Sequence, residues 1–128
     1  MNDEREISLI KYNILLSVLF VISVFVSIVI SYNQELELEG KKTFFDSKTA
    51  NDIVLLNRLF VILIVIGFLI VNYYEYIIGV AKNKNLKPLK QQLFISILNI
   101  IAAFIALYIV YENLNTNFPI SDIENPDI

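Results

Sequence analysis

Residues 12–32 read YNILLSVLFVISVFVSIVISY, without one Asp, Glu, Lys or Arg. At about 1.5 Å of rise per residue, some twenty such positions in a helix cross a hydrocarbon core of about 30 Å. The run is longer than the roughly 7 to 15 apolar residues of a secretory signal. Val29 and Ser31 would suit signal cleavage, yet the length makes an uncleaved anchor helix the expectation.

Outward from this helix, two more apolar runs follow, over residues 53–81 and 89–111. The first of them exceeds what a bilayer requires and is expected to tilt or to project at one end. Thr49-Ala50-Asn51-Asp52 stands before it with the spacing of a capping box. Pro88 suits the first turn of the third helix, where a missing N–H costs nothing. Apolar residues make up 56% of the chain and its mean hydropathy is +0.63, against roughly 45 to 50% apolar in soluble domains. The reading is an all-α membrane protein, one domain of three transmembrane helices packed as a small bundle, with spans 12–32, 53–81 and 89–111. An outer loop 33–52, a basic loop 82–88 and a mobile acidic tail 113–128 complete it. In the outer loop, the alternation Glu35-Leu36-Glu37-Leu38 before Gly40-Lys41-Lys42 allows a small hairpin, although an irregular charged connector is favoured because isolated hairpins are marginal.

Lysine and arginine set the direction of threading. Arg5, Lys11, Lys82, Lys84, Lys87 and Lys90 fall on one side, and Lys41, Lys42, Lys48 and Arg58 on the other, among nine acids. The positive-inside rule places the N-terminus and the 82–88 loop in the cytoplasm and the C-terminus outside. All seven tyrosines stand near the ends of the spans, at the headgroup level their amphipathic rings favour. The abundance of Ile, Asn and Lys suggests an AT-rich genome, and the expected location is a bacterial plasma membrane.

Each span also carries a polar or small stripe. Asn13, Ser17, Ser23, Ser27 and Ser31 share an arc of about 120° on the first helix. On the second, Asn57, Arg58, Asn72, Glu75, Tyr76 and Gly79 share about 100°. On the third, Gln92, Ser96, Asn99, Ala102, Ala103, Ala106 and Asn113 share about 120°. Helices in lipid associate through such residues, so the stripes are expected to face one another. Counting outward from a turn about Leu86 brings Asn72 to Asn99, and Arg58 to Glu112 as an outer ion pair. Lys82, Lys84, Lys87 and Lys90 are candidates for anionic headgroups. Glu75, an ionisable group within a span, is a candidate proton or cation carrier, although helix packing with its carboxylate snorkelling to the interface beside its tyrosines is the favoured reading.

Function is bounded by exclusion. The chain has neither His nor Cys, which removes thiol chemistry, disulfides and histidine acid–base work. No intramembrane acid pair or phosphate-binding glycine loop is present, so no catalytic residue, cofactor or metal is assigned and no enzyme is expected. The basic surface is too small for nucleic acid, and no small-molecule substrate is inferred. Besides the bilayer, the expected partner is another membrane protein or a second copy. The preferred reading is an accessory or interaction subunit, or an immunity-type factor, acting through helix–helix contacts. The alternative is a homo-oligomeric ion channel or pore lined by the Ser/Asn stripes.

Overall fold

The computed structural model describes residues 2–113, with side chains from residue 4 onward. Three helices account for nearly all of it: α1 (Asn2–Leu38), α2 (Ser47–Ala81) and α3 (Leu86–Glu112). Each is long and apolar enough to cross a membrane. Large apolar side chains cover the outside, with Phe25, Leu63 and Phe94 each more than 60% exposed. Such a surface suits acyl chains and would be unsupportable across a soluble domain.

The helix ends explain why the elements run past the apolar spans. α1 continues through Glu35-Leu36-Glu37-Leu38, so this stretch is neither the favoured irregular connector nor the small hairpin, and the alternation is the last helical turn of α1. Gly40, at φ +71°, closes that turn: its N–H bonds to Glu37 O, and the Lys41 N–H bonds to Leu36 O at 2.9 Å. This is the paired closure that a left-handed residue permits after a helix. α2 starts earlier than expected because its cap is Asp46, not Thr49: the Asp46 carboxylate accepts from the Thr49 N–H at 2.7 Å. Thr49 is thus the third residue of the helix, and the outer loop shrinks from 33–52 to 39–46. At the other end of α2, Asn83 takes φ +55° and the Lys84 N–H reaches Gly79 O at 2.9 Å. Asn85 then caps α3, and Pro88 falls in its first turn as expected.

The Asp46 cap is pH-sensitive. Hydrogen bonds from the Thr49 hydroxyl and amide hold its carboxyl below the usual carboxylate range. A depressed carboxyl stabilises the fold above its unfolded pKa, and that contribution disappears as pH falls through the lowered folded value. Amide protection at Thr49 is therefore expected to drop in strong acid in the native chain. It should stay level in Asp46→Asn, which caps without titrating; a parallel drop in both would refute the assignment.

α2 packs along both other helices, antiparallel to each, whereas α1 and α3 meet only sparsely. They come together towards the 39–46 end, where Ile30 of α1, Ala50 and Val54 of α2 and Val110 of α3 form one buried cluster. A second cluster joins α2 to α3 through Val61, Ile62, Val65 and Ala103. The small Ala103 and Ala106, both buried, let α3 approach α2 closely. On the other flank, Leu16 of α1 seats its side chain over Gly67 of α2, where a Cβ would lie 2.7 Å from Leu16 Cδ2.

Candidate functional site

The polar stripes become contacts at two nodes. In the first, Asn57 of α2 is buried against α1. Its Oδ1 accepts from Ser23 Oγ at 2.8 Å, while its Nδ2 donates to Ser27 Oγ at 3.2 Å and to Ser23 O at 3.3 Å. Ser23 and Ser27 lie one helical turn apart, so a single forked amide engages both hydroxyls. In the second node, Asn72 of α2 donates from Nδ2 to Ser96 Oγ of α3.

That second bond corrects the expected meeting of Asn72 and Asn99. Ser96 is buried and Asn99 is exposed. The helical hairpin turns about residues 82–85, not about Leu86, so the register shifts nearly one turn and Ser96 takes the matching depth. Gly79 agrees with this register: a Cβ there would overlap Leu89 in the first stretch of α3.

At the 82–85 end a third polar group ties α1 to the turn. Glu6 bridges Lys82 and Lys84, each at 2.9 Å. Two of the four headgroup candidates are therefore engaged within the protein, while Lys87 and Lys90 remain exposed on the start of α3. Glu75 is partly buried and lines a cavity of about 300 Å³ with Glu6, Leu9, Ile10, Ile78, Lys84 and Leu89. This cavity opens where α1 and α3 diverge over α2.

The expectation that all stripes face one another holds only in part. Asn13, Ser17 and Ser31 of α1, and Gln92 and Asn99 of α3, are exposed. Ser17 Oγ donates to the Asn13 carbonyl at 2.8 Å within its own helix, a local bond that leaves the Asn13 amide outward. The reason is architectural, because α1 and α3 do not pack along their length and cannot cover each other's stripes. Arg58 is buried beside Asn57, and Glu112 is exposed on the last turn of α3. Of the tail, only Asn113 is described; the acidic segment from residue 114 lies outside the described residues.

Two structural residues were not singled out from sequence. Asn33 is buried at the 39–46 end, where its Oδ1 accepts from the Phe44 and Phe45 amides at 2.8 and 3.0 Å and its Nδ2 donates to Phe45 O at 3.2 Å. The other is Glu6, whose signal is the basic 82–88 loop placed on the same side of the membrane by the lysine count. Compared with protein-family models, curated proteins and solved structures, the chain matches none.

Proposed function

We propose that this chain is a non-enzymatic multi-pass membrane protein that works by associating with a membrane partner through its helix faces. In this reading the N-terminus and the 82–85 turn are cytoplasmic, a direction supported by the Lys/Arg count and chiefly by the acid-free basic loop, and the location is a bacterial plasma membrane. One observation carries it: polar side chains, above all Asn99 at the middle of α3, stand exposed on helices otherwise clothed in apolar residues. Water satisfies such groups at a soluble surface. In hydrocarbon they need a protein donor or acceptor, and the sparse contact of α1 with α3 leaves room for one. The chain is then an accessory or immunity-type subunit.

The buried nodes favour association over a pore. Ser23, Ser27, Asn57, Asn72 and Ser96 are occupied in bonds between helices, so these members of the stripes are not free to line a channel. Proteoliposomes containing only this chain are expected to pass no ions. Affinity purification from native membranes should recover a membrane protein whose yield falls when Asn99 and Gln92 are replaced by leucine. Ion flux that Glu75→Gln abolishes would establish the channel instead.

A further inference from the structure

One flank of α3, beside the strip that packs on α2 and short of the buried Ala106, has a seven-residue order over residues 92–102. Gln92, Ile95, Asn99 and Ala102 are all exposed, and at 100° per residue they fall within an arc of about 80°. The steps of three, four and three residues make a seam, with its two amides at equivalent places seven apart. Neither amide makes a hydrogen bond among the described residues, and Asn99 lies midway between Leu86 and Glu112, the ends of α3. The deepest position of the helix thus carries an outward amide.

We infer that this seam is where a second copy of the chain docks, α3 against α3, in a parallel two-fold dimer held by reciprocal Asn99 amides. This deepens the association reading and rests on it. All copies of a membrane protein are threaded the same way, because the same charged loops orient each of them. Two α3 helices therefore run parallel, and at a two-fold axis each residue meets its own counterpart. Few polar side chains tolerate that meeting. A carboxylate or an ammonium would repel its copy, whereas an amide is donor and acceptor at once, so each Nδ2 donates to the other's Oδ1. The seam holds two amides and no charge. Ala102 adds the small side chain that allows close backbones, and Ile95 supplies apolar packing between the amides. An amide at a single repeating position is also a known device for fixing register and number of strands in helical pairs.

The test uses the absence of native cysteine: any introduced thiol is the chain's only one. Single cysteines are placed in the full-length chain at Gln92, Ile95, Asn99 and Ala102, and on the opposite face at Ile97, Ile101 and Phe104, then oxidised in proteoliposomes containing this protein alone. Covalent dimers are expected from the first set and not from the second. Asn99→Ala should weaken the dimer about 8- to 900-fold, the range for losing two reciprocal hydrogen bonds between helices in lipid, with the thermal unfolding of the monomer unchanged. Equal cross-linking on both faces, or none, would overturn the dimer, and so would label exchange showing a trimer or larger ring. Recovery of a different membrane protein from native membranes through Asn99, with no cross-linking in the pure system, would also overturn it while leaving the association reading intact.

Discussion

Asn57→Ala is expected to loosen α1 from α2 and to lower stability by about 2 to 4 kcal/mol, since three hydrogen bonds between helices go at once and each contributes about 0.6 to 2 kcal/mol in a bilayer. The Asn57 side chain contacts Ser23 Oγ, Ser23 O and Ser27 Oγ, and all three residues are at most 6% exposed. Serine can return its proton to a carbonyl in its own helix, which is why the expected loss falls short of the full sum. Ser23→Ala should cost less than Asn57→Ala, because the Asn57 amide keeps Ser27. Unfolding of the purified protein in mixed micelles, followed by steric trapping of labels on α1 and α2, measures both. A loss below about 0.5 kcal/mol for Asn57→Ala, the scale of an ordinary surface change, would show that this node is incidental.

The second large effect is expected at Asn33. Asn33→Ala removes the acceptor of two consecutive backbone amides, Phe44 and Phe45, and the donor to the Phe45 carbonyl. A backbone group stripped of its partner in a partly buried place costs about 1 to 3 kcal/mol. The expected total is about 2 to 4 kcal/mol, because water reaches part of the loop. The 39–46 segment should lose amide protection while the α2·α3 contacts keep theirs. Asn33→Asp supplies the discriminating control: its carboxylate still accepts from both amides but faces the Phe45 carbonyl with no donor. It should recover the protection of Phe44 and Phe45 only in part. Full recovery would mean that the Nδ2 bond contributes nothing, and unchanged protection in Asn33→Ala would remove Asn33 from any role in the loop.

The comparison of sequence with structure divides along range of interaction. The three helices were legible because an apolar run of twenty residues has only one good solution in lipid. Their ends were less so. Glu35 to Leu38 and Ser47 to Asp52 are helical although charged, since a helix that leaves the hydrocarbon keeps its hydrogen bonds until a residue such as Gly40 or a cap such as Asp46 interrupts it. The cap is Asp46, three residues before the Thr49 that the capping-box spacing selects. The α2·α3 register failed by less than a turn because it depended on which residue of the turn accepts a left-handed backbone. That residue is Asn83, and asparagine is among the few besides glycine that tolerate the conformation.

The candidate residues follow the same division. Ser23, Ser27, Asn72, Ser96, Ala103 and Ala106 were legible as an inward face, since helical periodicity alone groups them. Asn13, Ser17, Gln92 and Asn99 belong to the same arcs and are nevertheless exposed, because periodicity says which residues share a side and not which neighbour covers it. Asn33 had no signal of this kind. Its partners are main-chain groups of Phe44 and Phe45 across a turn, and no sequence spacing encodes that bond.

The sparse meeting of α1 and α3 also bears on how the protein is made. Both extensive packing interfaces join helices that are neighbours in the chain, so the tertiary structure has low contact order and needs no long loop to close before it is rewarded. Synthesis from the N-terminus delivers α1 and α2 first, and their serine–asparagine node forms without waiting for the rest. α3 follows them in the chain, docks on α2 through Ser96 and Ala103, and brings its uncovered amides into the membrane after these two helices. In the association proposed above, the α3 seam thus reaches the membrane only after α1 and α2.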